Sequence, residues 1–374
     1  MNIPFINLNA QYTAYKKEID EGIASVLNSS QYIMGSDTNE LEKELSAFCG
    51  AKHTRVVSSG TDALLLSLMA LDITNGDEVI TTPFTFIATA EVVSLLGAKP
   101  VFVDIDERTY NIDVAKLESA ITPRTKAIIP VSLYGLCADM DKINAIAKAH
   151  NIAVIEDGCQ SFGAKYKKRF SCNLSTIGTT SFFPSKPLGC YGDGGAVFCN
   201  DKEIDSKIGS LLNHGQIARY VHKYIGLNAR LDSLQCAILR VKLRHFAKEC
   251  EVRQQKANLY AKELKNLILP FIPQEYESVY AQYSVRLKPE LSKDGTRESV
   301  CKQLEQKGIP TAVHYPIPLH LQESLRYLGY KEGDFPISEK IAKEIFSLPF
   351  SAFLLEQEQN YIIESLNAIT DSLK

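Results

Sequence analysis

The chain has 374 residues, too many for one hydrophobic core, since single cores stop growing at roughly 250–300 residues. With 45% hydrophobic and 23% charged residues, its composition is that of an ordinary soluble enzyme. A formal charge of −3 gives no field that would gather nucleic acid or an anionic membrane, so anionic ligands must be met by local donors.

The first residues, MNIPFINLNAQY, carry neither a basic n-region nor an apolar h-region, and no apolar run approaches the ~20 residues of a membrane span. A cytoplasmic protein is expected. Nine cysteines, scattered from Cys49 to Cys301 without a CxxC pair, read as reduced thiols. Tyr12, Tyr15, Ile19, Ile23 and Val26 recur at helical spacing. Asp37 with Glu40 predicts an N-cap and its return partner, followed by the apolar face Leu41, Leu45 and Phe48 and a stop at Gly50.

Short β-rich runs follow at Thr54–Val57, Glu78–Thr82, Pro100–Val103, Ala127–Val131 and Ala153–Ile155. Helical patterns separate them near Asp62–Leu71, Ile87–Leu96, Asp113–Ile121 and Met140–His150. This alternation predicts an α/β fold with a mostly parallel sheet covered by helices, and ligands beyond the carboxyl ends of its strands. Beyond residue 250 the pattern changes: a charged helix at Glu251–Leu264, a strand through Tyr283, Val285 and Leu287, and a helix near Thr296–Lys307. An apolar strand ending at His314 and helices near Ile337–Phe346 and Gln357–Ser372 complete it. We therefore expect a large domain over 1–249 and a smaller α+β domain over 250–374.

Three stretches carry chemistry. SSGTDAL, Ser58–Leu64, follows a strand and opens a helix, so free N–H groups and the positive dipole end converge there. Gly60 and Thr61 suit a phosphate, although a plain Ser-Gly turn with a cap has the same pattern. VIEDGCQSFGA, Val154–Ala164, delivers Glu156 and Asp157 to a strand end, with Gln160 close behind. A carboxylate there either anchors a cationic ring nitrogen or caps the next turn. SFFPSKPLGCYGDGGAVF, Ser181–Phe198, sets Lys186 among Phe182, Phe183, Pro184 and Leu188. Most lysines lie on solvated surfaces; one among apolar groups loses its proton readily and becomes a Schiff-base amine. G-x-G-x-x-G and Walker A patterns are both missing.

Taken together, in the order phosphate loop, acid, lysine, with 29 residues from Asp157 to Lys186, these stretches resemble the DegT/DnrJ/EryC1/StrS sugar aminotransferases of fold type I. The likeness runs from FINLNAQY through YIMGSDTNELEKELSAF and PLH to SLPF at Ser347–Phe350. It implies that Lys186 carries pyridoxal 5'-phosphate (PLP), that Asp157 holds the ring nitrogen and that Gln160 meets the ring hydroxyl. Gly60, Thr61 and Ser181 would bind the phosphate, and Phe86 would stack on the ring, although the residues alone favour a core position for Phe86. In GLNARLDSLQ, the resemblance assigns Asn228 to the phosphate of a neighbouring subunit, hence a homodimer, and Arg230 to the substrate. A salt bridge between Arg230 and Asp232 is the alternative. His314, Tyr315 and His320 in HYPIPLH would line the sugar-nucleotide side. Two histidines six apart also suggest a metal, but no Cys or carboxylate spacing completes such a site.

The resemblance further implies transfer of an amino group from L-glutamate to a nucleotide-linked keto-sugar in polysaccharide biosynthesis. SFFPSKPLGCYGDGGA is most similar to enzymes that aminate C3 of UDP-2-acetamido-2-deoxy-3-oxo-glucuronate. A dTDP-3-oxo-6-deoxyhexose and C4 amination are the alternatives. Lys186 argues against a dehydratase, whose relatives have His there, and the complete constellation argues against a non-enzymatic regulator.

Overall fold

The computed structural model describes residues 2–374. Helices α1 (Leu8–Ser29) and α2 (Ser36–Cys49) precede strand β1 (His53–Val57). Then α3 (Gly60–Ala70), β2 (Glu78–Thr81), α4 (Ala88–Leu95), β3 (Lys99–Phe102), α5 (Val114–Leu117), β4 (Thr125–Ile128), α6 (Met140–Ala149) and β5 (Ala153–Asp157) alternate. A hairpin of β6 (Lys165–Tyr166) and β7 (Arg169–Phe170) leads to β8 (Ile177–Ser181) and β9 (Gly195–Cys199). After α7 (Lys202–Leu211) comes a second hairpin, β10 (Gln216–Ala218) and β11 (Val221–His222). The 31-residue helix α8 (Ser233–Glu263) then spans the molecule. β12 (Leu267–Ile268), β13 (Tyr276–Glu277), β14 (Tyr283–Leu287), α9 (Thr296–Gln306), α10 (Pro336–Glu344), β15 (Ile345–Leu348) and α11 (Glu356–Asp371) end the chain.

Seven strands form the main sheet in the order β1-β9-β8-β5-β4-β2-β3. Only β9 runs against its neighbours; the others point one way. All residues of β2 and β9 are buried, as a sheet covered on both faces requires. The five strands expected from the sequence are present, β4 as a shorter segment. The sequence reading missed β8 and β9, because Gly178 and Gly195 dilute their apolar pattern. Gly178 is needed there: a Cβ would lie 2.0 Å from the Cys172 carbonyl oxygen.

Two local expectations are corrected. Helix α2 starts one residue before Asp37, with Gly35 as N-cap and no side-chain cap. A Cβ on Gly35 would lie 2.7 Å from the Gln31 carbonyl oxygen, and Asp37 instead accepts from Arg240 at 2.7 Å. The strand expected to end at His314 is reduced to one bridge between Ala312 and Ser347. Pro310 has no N–H to donate to a ladder there.

A second core gathers Tyr260, Tyr283, Val285, Phe346, Leu348 and Ile362 from the C-terminal part, and Ile3 joins it from the other end of the chain. The boundary expected between 249 and 250 falls inside α8. The first half of α8 packs Leu239 and Phe246 into the sheet core, and Ala257 and Tyr260 enter the second. One rigid helix thus serves both cores.

Side chains alternate along β5, so Glu156 and Asp157 face opposite ways. Glu156 is fully buried, accepting from Ser171 Oγ at 2.6 Å and Cys172 N at 2.9 Å. Burial pushes its carboxyl from 4.5 up to about 7, against the pull of these hydrogen bonds. Between those values the folded chain keeps a proton that the unfolded chain has lost, so stability falls as pH rises through the window. The Glu156 share is on the order of 3 kcal/mol. Thermal melts from pH 4.5 to 8 should show this fall flattened in Glu156→Gln, with a residual slope from Glu42, which burial also raises to about 7. Parallel curves for the two proteins would refute the assignment.

Candidate active site

A cavity of about 480 Å³ opens at the carboxyl ends of β5 and β8, and Lys186, Asp157, Gln160, Gly60, Thr61 and Ser181 all line it. The size suits a bound small molecule, for which roughly 300–1,000 Å³ is usual. Phe86, His314 and Tyr315 line the same cavity.

The Gly60 end of the cavity is built by backbone. Ser59 caps α3, its Oγ accepting from Asp62 N at 3.0 Å, and Gly60 begins the helix. A Cβ on Gly60 would lie 2.7 Å from Ser181 Cβ and 2.9 Å from Cys159 Sγ, so only glycine lets the turn meet β8. Thr61 stands in the first turn, where N–H groups are free of intrahelical partners.

At the other end Asp157 closes β5. Its Oδ2 accepts from Thr89 Oγ1 at 2.8 Å and its Oδ1 from Cys159 N at 3.2 Å. Gln160 Oε1 accepts from Tyr134 N at 2.9 Å while its Nε2 donates to the Tyr315 hydroxyl at 3.2 Å. Tyr315 is thereby fixed to the sheet domain, and burial raises its phenol pKa. Phe86 is 53% exposed, whereas Phe84 is fully buried; Phe86 is therefore a cavity wall rather than core. Its ring lies 6.2 Å from that of Tyr315.

Lys186 is half-buried in a tightly folded loop. Its N–H donates to Phe183 O at 2.8 Å, and Cys190 N donates to Phe182 O at 2.7 Å. A Cβ on Gly189 would come 2.5 Å from Pro184 O, which accounts for a glycine there. Lys242 of α8, almost fully buried, donates to Gly189 O, and Gln235 Oε1 accepts from Tyr191 N at 2.8 Å. Desolvation lowers the Lys186 pKa, with Cys159 and Asp157 opposing the shift. Burial likewise lowers Lys242, to about 8. Burial lowers the His314 pKa, with nearby Lys186 adding to the shift, and its Nδ1 lies 3.2 Å from Ser347 Oγ.

Not every expected residue reaches the cavity. His320 is 1% exposed, with Nε2 3.0 Å from Glu339 Oε1 and its ring packed 4.8 Å from Phe335. It belongs to that buried cluster, not to the cavity wall. Asn228 is exposed and Arg230 half-buried; neither lines the cavity within one chain. Arg230 Nη1 donates to Asn213 Oδ1 at 2.9 Å rather than pairing with Asp232. The segment does brace the phosphate turn, because Ser58 N donates to Ala229 O at 3.0 Å. Among the described residues no group of three or more His, Cys, Asp or Glu is arranged to hold a metal, and all nine cysteines are free. Sequence reasoning missed Thr89, Gln235 and Lys242. Of these only Lys242, one of two charges in the otherwise apolar run ILRVKL, left a readable signal.

The residues fit PLP: a glycine-cradled helix N-terminus for the phosphate, a buried carboxylate for the ring nitrogen, and a desolvated amine between them. The family model described as DegT/DnrJ/EryC1/StrS aminotransferase family matches residues 13–367. A UDP-2-acetamido-2-deoxy-3-oxo-D-glucuronate aminotransferase of Pseudomonas aeruginosa is 53% identical over 354 residues, covering 94% of this chain and 96% of the relative. A UDP-N-acetyl-3-dehydro-alpha-D-glucosamine 3-aminotransferase of Acidithiobacillus ferrooxidans is 42% identical over 95% of each chain. The crystal structure of NtdA from Bacillus subtilis, with bound cofactor PMP, superimposes with a TM-score of 0.91 at 29% identity, covering 99% of this chain and 85% of that one. The chain therefore belongs to the DegT/DnrJ/EryC1/StrS aminotransferase family and is a PLP-dependent transaminase of fold type I.

Proposed function

We propose that the protein moves an amino group from L-glutamate to C3 of a UDP-linked 2-acetamido-3-oxo sugar, the 3-oxo-glucuronate in particular. The observation that carries the transaminase chemistry is Lys186 and Asp157 in one cavity with the Gly60 turn. The substrate rests on the two relatives, both of which bear names for 3-amino transfer on UDP-sugars.

PLP supplies an electron sink that stabilises charge on the carbon losing its proton. Asp157 would keep that sink effective by holding the ring nitrogen protonated, and Thr89 and the Cys159 amide hold Asp157 in place. Gly60, Thr61 and Ser181 would anchor the phosphate, and Gln160 would meet the ring hydroxyl. Phe86 would cover one ring face. Lys186 Nζ, whose pKa desolvation lowers, would take the proton from Cα of the donor and deliver it on the cofactor side of the donor nitrogen. His314 and Tyr315 bound the sugar side.

A homodimer completes the site in this reading. The β10–β11 hairpin and the turn after it expose Ile217, Tyr220, Val221 and Ile225 at 56, 79, 51 and 91%, an apolar surface that a second copy would cover. Asn228 and Arg230, just beyond it, would serve the partner's phosphate and substrate. Light scattering should then give twice the chain mass, and a monomer that remains fully active would contradict the shared site. The cytoplasm and polysaccharide precursor synthesis are the setting we infer; no helix is long and apolar enough to cross a membrane.

Three measurements test the reading. Lys186→Ala should retain cofactor but lose about a thousandfold or more in kcat, the range of a positioned acid–base. Asp157→Asn should lose about a hundredfold with the fold intact, as removing one preorganised electrostatic partner does. Offered glutamate and a panel of 3-oxo and 4-oxo nucleotide sugars, the enzyme should add nitrogen, by mass spectrometry, to the UDP-3-oxo-uronate. Amination of a 4-oxo sugar alone would overturn the substrate.

A further inference from the structure

The sheet domain contributes the phosphate turn, Asp157, Gln160 and Lys186 to the cavity. Three lining side chains come instead from beyond residue 250: Gln282, His314 and Tyr315. Gln282 has no part in the chemistry above, yet its Oε1 is buried without a hydrogen-bond partner among the described residues. Buried carbonyl oxygens are nearly always paired, and an orphan in a binding cavity points to a missing partner.

Gln282 adjoins two spaces. It stands at the junction of the main cavity and a second one of about 20 Å³, which Tyr134 and Ser284 also line and which has room for a single water. Two residues on, Ser284 Oγ is 2.9 Å from Ser347 Oγ, and that hydroxyl is 3.2 Å from His314 Nδ1. The serines thus tie this edge of β14 to the histidine on the cavity wall. The cofactor's phosphate, ring nitrogen and ring hydroxyl would have partners elsewhere in the cavity. What remains for the Gln282 carboxamide is the sugar.

We propose that Gln282 determines specificity by accepting a hydrogen bond from a hydroxyl or amide N–H of the nucleotide-linked sugar. The proposal rests on the sugar-nucleotide reading above. A site built around such a bond rejects a ligand without the donor, because the buried oxygen is then left unpaired again.

The two half-reactions separate this role from a structural one. Purified holoenzyme should lose its visible absorbance when mixed with glutamate, and also when mixed with the UDP-linked 2-acetamido-3-amino uronate in the reverse direction. For Gln282→Leu, KM for the amino sugar should rise roughly tenfold or more, with kcat changed little, while the glutamate half-reaction is unchanged. Gln282→Met, with similar reach and no polar end, should behave alike and guards against misfolding of the first variant. Equal losses in both half-reactions would overturn the proposal, because Gln282 would then serve the cofactor. Unaltered kinetics in both would overturn it as well, leaving water in the small cavity as the partner. A wild-type enzyme that bleaches with glutamate but with no amino sugar would instead bring down the sugar-nucleotide reading on which the proposal rests.

Discussion

An amine that must be uncharged to react, held a short way from a carboxylate that must stay charged, is the constraint on which this structure turns. Water would defeat it, by stabilising the ammonium and weakening the field of the acid. The molecule removes water from the amine with a loop rather than with a strand or helix. Phe182, Gly189 and Cys190 fold the backbone back beneath Lys186, and α8 clamps the loop from below through Lys242 and Gln235. Asp157 is treated differently, at the end of β5, where an amide and a hydroxyl point at its two oxygens. The amine is desolvated and the acid is hydrogen-bonded.

The two cores meet at this site. The sheet domain supplies the groups that would hold a cofactor, and the C-terminal part brings His314, Tyr315 and Gln282 to the same space. Contacts between the two are specific: Gln160 donates to Tyr315, and Tyr134 donates to the His314 carbonyl. Helix α8 runs unbroken through both, so the cofactor half and the substrate half are set by a shared rigid element.

Residues whose role is local could be read from the sequence. Gly60 was recognisable because a turn between strand and helix leaves a fixed pattern, and Lys186 because a lysine among phenylalanines and prolines is costly without a purpose. Helix ends at Gly50 and the run of parallel strands were legible for the same reason. What could not be read depended on contacts distant in sequence. The true start of α2 is set by the Gln31 carbonyl crowding Gly35, and Asp37 is drawn off by Arg240. His320 has the right neighbours in sequence to be a ligand-binding residue, but Glu339 and Phe335 take it into a buried cluster. Thr89 supports Asp157 across 68 residues, with nothing near either residue to announce it. The fold and most of the side chains that line the cavity were thus legible, while the residues that hold Lys186 and Asp157 in place were not.

Two lysines matter in this part of the molecule, half-buried Lys186 at the cavity and buried Lys242 beneath its loop, and desolvation lowers the pKa of both. Only one of them faces the space beside Asp157. Borohydride treatment of the purified holoenzyme followed by peptide mass spectrometry discriminates between them. The account predicts a single phosphopyridoxyl adduct, on the peptide that contains Lys186. An adduct on Lys242, or on any lysine other than Lys186, would contradict it.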